Sequence, residues 1–400
     1  MKEEVFWKNP GYISAPSLQE DISADFLIAG GGIAGVMAAH FLIENGIKPG
    51  TIVLLERRVI GSGSTGRSAG MLLPEPENEK NAWWDALIDR YGFSRIRSYH
   101  HAHRAMIESL ENLVHVAEIE CEAAKQQYLI MAKNRTARAR VESDIAARQS
   151  LGERPRSLIG RKLYAEFRSP RFIFAERTAG GLSVNPLALV QGIAAYLRRL
   201  GVRVYENTTL ETIERGVART VNGTVNYVCM LNALGMGDTH LALHRYFTTI
   251  AVTEPLSHPL LERIGLEDKD MFIDEEGEHP FHYGKVTKDR RLLVGYGDVA
   301  IESATAELPL HAPHIRQIRN FLKRLFMHED LSIEYGWSGG YAMAPGFLPA
   351  VVVEGNSAHV NGAGIQLSTM VASDYAVAKL LKKEHALDGL WGETGTSSVQ

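Results

Sequence analysis

Two apolar periods succeed each other along the first part of the chain. Asp25-Phe-Leu-Ile-Ala29 is a short apolar run that ends in glycines, the pattern of a buried parallel strand. From Gly35 onward, Val36, Met37, Ala39, His40, Leu42 and Ile43 recur at helical spacing and stop near Gly46. After the turn at Lys48-Pro49-Gly50, Thr51-Ile-Val-Leu-Leu55 is a second β-rich run. Together these predict a βαβ unit. The lead-in Met1 to Ser23, with Pro10, Gly11 and Pro16, reads as irregular.

Residues Asn81 to Ser150 change character: rich in Ala, Glu, Arg and His, and poor in Gly and Pro. The pattern predicts two or three helices there, at Trp83–Tyr91, Arg95–Cys121 and Arg135–Arg148. From Gly180 the α/β pattern returns, with a helix over Pro186–Leu200 and a strand at Val202–Tyr205. Ile250 to Ala300 holds several β-like runs, including Leu292-Leu-Val294, and a helix follows near Ile315–Phe326. Ser357–Leu381 again reads strand, glycine turn, long helix. No internal repeat is visible, and only the last few residues read as a disordered tail.

Composition narrows the class. At roughly 100–200 residues per domain, 400 residues suggest two or three domains. With 45% hydrophobic and 22% charged residues the chain can build packed cores. A net charge of -4, from 43 basic and 47 acidic residues, gives no electrostatic reason for a nucleic-acid partner. Cys121 and Cys229, two cysteines far apart, are no disulfide framework and fit a reducing compartment. Met1 to Trp7 is charged and lacks the apolar stretch of a secretory signal, and no apolar run reaches the roughly 20 residues of a membrane helix. A cytoplasmic protein without a membrane span is the expectation.

Gly30-Gly31-Gly32-Ile33-Ala34-Gly35 fits the dinucleotide pattern G-x-G-x-x-G. Gly30 permits the tight turn out of the strand. Gly32 lets a pyrophosphate approach the backbone, and Gly35 lets the helix pack close to the sheet. The helix N-terminus then offers free N–H groups to the phosphates. A structural turn can carry this string by accident, but here a strand precedes it, a helix and a second strand follow, and Glu56 stands at that strand's end. Glu56 can accept from ribose hydroxyls, and its charge would repel a 2′-phosphate.

Directly after comes a second cluster, Gly61-Ser-Gly-Ser-Thr-Gly66-Arg67-Ser-Ala-Gly70-Met71, small enough to wrap a planar ligand at the sheet's crevice. Strand, GGGIAG, helix, Glu56 and GSGSTGRSAG together resemble the superfamily of D-amino acid oxidase, glycine oxidase and sarcosine oxidase. The resemblance continues in Gly180-Gly-Leu-Ser-Val-Asn185-Pro186, Asn232-Ala-Leu-Gly235, Val252-Thr-Glu-Pro255-Leu256, Leu292-Leu-Val-Gly295, Trp337-Ser-Gly339 and Gly362-Ala-Gly364-Ile365-Gln366. The Phe6-Trp7 lead-in looks most like γ-glutamylputrescine oxidase-type members.

The resemblance implies an α/β fold: a Rossmann-type FAD-binding domain with a second, antiparallel-sheet-plus-helices substrate domain. The expected division is 1–80, 155–250 and 331–400 for the first, with 81–154 and 251–330 for the second. It implies oxidation of a C–N bond in a small-molecule amine or amino acid, with hydride passing to flavin N5 and the imine then hydrolysing. The cofactor set expected is Gly30, Gly32, Ile33, Ala34 and Gly35, with Glu56 and Arg57. It continues with Ser64, Thr65, Arg67, Ser68, Ala69, Gly70 and Met71, then Gly235, and finally Gly362, Gly364, Ile365 and Gln366. Tyr283, Lys285 and Tyr296 are the residues expected at the substrate.

The sequence also departs from the family pattern. Lys285 stands where many relatives have Arg, and a lysine is a compact point charge, without arginine's two-pronged grip on a carboxylate. Lys285, Arg290 and Arg291 also read as solvated turn residues. Leu292-Leu-Val294 lacks the lysine that sarcosine oxidases link to oxygen activation. That leaves room for a dehydrogenase, a subunit of a larger complex, or a flavin protein without turnover. With Arg67 in the loop and no Cys in the C-terminal part, non-covalent FAD is expected. Ala344-Pro345-Gly346-Phe347-Leu348-Pro349 lacks an acid that many relatives carry there. His100, His101, His103 and His115 invite a metal reading, but no His-Glu-x-x-His pattern accompanies them, and a packed or solvated helix face is expected. Trp83 and Trp84 read either as channel lining or as core anchors. A homo-oligomer or complex is compatible with the chain.

Overall fold

The computed structural model describes residues 1–76, 83–214, 216–266, 271–275, 281–325, 331–346, 348–361 and 366–391. Two sheets organise them. The first has eight strands, with Ala350–Glu354, Ser357–Asn361, Gly223–Asn232, Ile22–Ala29, Ile52–Leu55 and Arg203–Tyr205 side by side in that order. Ile22–Ala29 lies parallel between Gly223–Asn232 and Ile52–Leu55. Its side chains alternate: Phe26 and Ile28 enter one apolar cluster, Leu27 and Ala29 another. Both faces are therefore buried, which explains why the sequence shows unbroken apolar runs. Helix Ile33–Glu44, almost wholly buried, packs against helix Gln366–Leu380.

The second sheet has ten strands and is mostly antiparallel. Its spine runs Ile333–Met343, His244–Thr253, Leu292–Ala300, Phe281–Val286, Met271–Glu275, Ala124–Ala132 and Phe174–Ser183. Helix Ala312–Leu325 covers one face through Ile315, Ile318, Phe321 and Leu322. The other face carries Tyr128 and Ile130 near helix Arg135–Ser150, and Ile250, Val252 and Leu293 beside Trp7 and Trp337.

Most expected elements appear within a few residues, including Trp84–Tyr91, Pro186–Leu200 and Ala312–Leu325. One reading needs correction. The helix expected to reach Cys121 is Phe93–Val116, and strand Ala124–Ala132 follows where only helix was expected. Its first half, Ala-Lys-Gln-Gln, carries no β signal, so pairing with Phe174–Ser183 decides its state. Segments 174–183, 244–253 and 333–343 pair in the ten-stranded sheet. Long strands carry no local mark of which sheet they join. Among the described residues no helix is long and apolar enough to cross a membrane.

Candidate active site

The first glycine turn is built as its spacing requires. Gly30 has φ +110°, and a β-carbon there would strike the Ala233 carbonyl. A β-carbon at Gly35 would overlap the Gly30 carbonyl oxygen, so only glycine lets helix Ile33–Glu44 start this close to its strand. At Gly32 the same atom would lie 3.2 Å from Thr65 Oγ1. The Thr65 hydroxyl accepts from the Ile33 amide at 3.1 Å, which caps the helix start. Glu56 accepts from the Gly31 amide at 2.8 Å and the Arg58 amide at 2.9 Å, so its carboxylate faces the turn.

The second glycine cluster is a tied loop. Trp337 donates its indole N–H to Arg67 O and Trp7 to Ser68 O, both at 2.8 Å. Gln366 donates to Thr65 O at 3.1 Å and Ser68 Oγ at 2.7 Å. Ser64 donates to Gly340 O at 2.7 Å.

One cavity of about 760 Å³ runs past both clusters, within the range for ligand and cofactor sites. Gly30, Gly32, Ile33, Ala34, Glu56 and Arg57 line it, as do Ser64, Thr65, Arg67, Ser68, Ala69, Gly70 and Met71. Gly235, Tyr283 and Gln366 complete the expected residues on its wall. Gly35 stands behind the wall and packs helix to strand. Gly362, Gly364 and Ile365 lie outside the described residues. Gly32 and Glu56 on the wall, with the ring of small loop residues, fit an FAD-sized dinucleotide.

The ten-stranded sheet supplies the far wall. Ile130, Ile273 and Tyr283 are cross-strand neighbours and all three line the cavity. The Tyr283 ring lies over Gly295, where any β-carbon would collide with it. Its hydroxyl is 3.1 Å from Thr248 Oγ1, and burial raises its pKa, so the phenol stays protonated. Beyond it Tyr341 bonds Asp298, an aspartate held at φ +99°.

Lys285 and Tyr296 are not on the cavity wall. Lys285 shares a sheet face with Tyr283, but its ammonium turns beneath the loop. It donates to Gly70 O at 2.9 Å, Val184 O at 2.8 Å and Ser183 Oγ at 3.0 Å, and lies 4.9 Å from the centre of the Trp7 ring. Burial lowers its pKa to about 7. Tyr296 pairs with His282 in a register that sets Tyr283 against Gly295, so alternation sends Tyr296 to the opposite face. There its ring lies against His282 and His314.

Other residues join the site, and of these the sequence singled out only Trp83, as channel lining or core anchor. Glu75, Trp83, Asp298 and Tyr341 all line the cavity. Trp84, by contrast, is core. His100 is buried 2.7 Å from Glu153, and His103 is buried against Ser368, with its pKa lowered to about 3 by burial. His101 and His115 are exposed.

A dinucleotide turn, a tied glycine loop and a cavity walled by an antiparallel sheet define a two-sheet flavoenzyme. The family model described as FAD dependent oxidoreductase matches residues 25–377, and the chain belongs to that family. It is an FAD enzyme. It is 27% identical over 349 residues to gamma-glutamylputrescine oxidoreductase of Escherichia coli (strain K12), covering 84% of this chain and 78% of the relative. Among solved structures, glycine oxidase from Geobacillus kaustophilus superposes with a TM-score of 0.76 at 18% identity, covering 94% of this chain and 100% of the other. L-proline dehydrogenase from P. horikoshii gives 0.75 at 18% identity, covering 94% and 97%. The solved structures bear on the fold alone.

Proposed function

We propose that the chain binds FAD non-covalently and oxidises the C–N bond of a small amine or amino acid in the cytoplasm. In this reading the eight-stranded sheet and its helices hold the cofactor, and the ten-stranded sheet presents the substrate. Gly30, Gly32 and Glu56 would hold the nucleotide, with Ser64–Met71 and Gln366 closing round the flavin. The observation that carries the reading is the single cavity joining the dinucleotide turn to the Tyr283 face of the second sheet. Bound FAD supplies a two-electron acceptor for the hydride on the carbon that bears nitrogen, and the imine then hydrolyses. The chain's own part is to orient that carbon and exclude water. Tyr283, protonated and fixed by Thr248, offers a hydrogen bond to the substrate, while Leu73, Trp83, Ile130 and Ile273 keep its surroundings dry.

The acceptor divides two readings. Leu292, Leu293 and Val294 are fully buried and apolar, with no lysine among them, which favours a dehydrogenase using an acceptor other than oxygen. The second reading is an oxidase that passes its electrons to oxygen. The test is the visible spectrum of the purified protein before and after anaerobic addition of an amine and amino-acid panel. Flavin bands that bleach with one compound support the reading. Bound flavin that no compound reduces overturns turnover, and a colourless protein that takes up no FAD overturns the cofactor site. Peroxide release on readmitting air then separates oxidase from dehydrogenase.

A further inference from the structure

Beneath the cavity wall at Glu75 lies a buried guanidinium. Arg148 donates to Asp144 at 2.5 Å, to Glu153 at 3.2 Å and to Glu75, and lies 3.2 Å from Glu176. The Tyr128 hydroxyl lies 3.2 Å from Arg148 and also bonds Glu75. Arg148, Asp144 and Glu176 are wholly buried, and Glu75 is 6% exposed. At the outer edge, Glu153 also meets His100 at 2.7 Å and the exposed Arg104 at 3.4 Å.

Four carboxyl groups thus surround one guanidinium, and Glu176 Oε2 has no hydrogen-bond partner. A buried ion cluster that serves packing alone is expected to balance its charges. This one is short of positive charge, and burial pushes Glu75 up to about 8 and Glu176 up to about 7. At neutral pH, with nothing in the cavity, the cluster keeps a proton instead of ionising fully.

Of these acids only Glu75 lines the cavity. Leu73, Trp83, Ile130 and Ile273 line it too, apolar surface suited to a short methylene chain beside an aromatic ring. Among the described residues that the ten-stranded sheet and the Glu75 loop give to the wall, the charged groups are Glu75 and Asp298, both acids. Lys285, the base expected to hold a carboxylate, is consumed under the loop.

We propose that Glu75 is the specificity-determining residue of the cavity and receives a second, protonated nitrogen of the substrate. The substrate class is then an amine carrying a cationic nitrogen at the far end of a short apolar chain. The proposal rests on the amine-oxidation reading of the same cavity. Binding trades the proton held by Glu75 for the ligand's positive charge, while Tyr128 and Arg148 each hold one oxygen of the carboxylate in place at the wall.

The test is calorimetric titration of the FAD-loaded protein with 1,5-diaminopentane, n-pentylamine and 5-aminopentanoate, in two buffers of different ionisation enthalpy. Wild type should bind the diamine at least tenfold more tightly than either of the others and release a proton. In Glu75→Gln the diamine preference should fall at least tenfold and the proton release should vanish, while Glu75→Asp restores part of the preference. A structural role for Glu75 would weaken all three ligands alike and leave the preference in place. Equal affinities in wild type, or a preference that survives Glu75→Gln, overturn the proposal. If the Gln variant does not fold, wild type alone decides: the diamine preference should rise between pH 6 and pH 8.5, and a flat ratio overturns it. Anaerobic bleaching in the same samples separates the two readings. A diamine preference without bleaching removes the oxidation but keeps the site, whereas bleaching indifferent to the second nitrogen does the reverse.

Discussion

Lys285 illustrates how one side chain serves two demands. Its ammonium satisfies two carbonyls and a hydroxyl, yet it is 2% exposed and carries its charge at a cost. The folded-state pKa of about 7 lies below the ordinary 10.5. Between those values the unfolded chain binds more protons than the folded one, so this residue's contribution to stability grows as pH rises from 7 toward 10.5. Its slope is about 1.4 kcal/mol per pH unit at most. Denaturant titrations of wild type and Lys285→Met across pH 7–10 should therefore show the wild type gaining on the variant as pH rises. Parallel pH curves would mean that the lysine stays charged. The sequence singled out Lys285 as a polar residue at a telling place, but its target was illegible. Gly70, Ser183 and Val184 reach it only through strand pairing far along the chain. The placing of Tyr296 was illegible for a related reason, since its face follows from a register with Phe281–Val286 that no local pattern encodes.

The loop over residues 64–70 is held by elements from every part of the chain. Trp7 comes from the lead-in, Lys285 from strand Phe281–Val286, Trp337 from strand Ile333–Met343, and Gln366 from the start of the last long helix. The loop's own backbone is short of partners, and these side chains supply them. Trp7→Phe keeps the packing and removes one hydrogen bond worth about 1 kcal/mol. FAD affinity should fall about fivefold, measured by flavin fluorescence on dilution, with little change in far-ultraviolet circular dichroism. Unchanged affinity would show that the lead-in does not hold the loop. Here the sequence was informative: the glycines, Arg67 and Gln366 were all legible because each sits in a local string. Trp7 was read only as part of a family-like lead-in, and Glu75, between Pro74 and Pro76, carried no signal at all.

At the scale of the whole molecule, both sheets contribute wall to one cavity, so a ligand there braces both at once. FAD in hundredfold excess over its dissociation constant should add about 2.7 kcal/mol to stability. Thermal melts followed by circular dichroism and by tryptophan emission should move up together, since Trp84 and Trp391 lie in the cluster on the first sheet and Trp7 and Trp337 against the second. An emission melt that splits into one shifted and one unshifted transition would mean that the cavity does not couple the sheets. The βαβ unit was legible because strand, turn and helix are consecutive and each glycine answers a local steric need. The pairing of segments 174–183, 244–253 and 333–343 within the second sheet was not, because sheet membership is settled by long-range contacts. The ties on the glycine loop have a consequence for the order of events in the cell. Synthesis at about 5–20 residues per second delivers Thr65 and Ser68 about 300 residues before Gln366, the side chain that clamps them. A nascent chain halted before Gln366 holds the dinucleotide turn but an unfinished socket, so it should bind flavin more weakly than a chain that reaches past that residue.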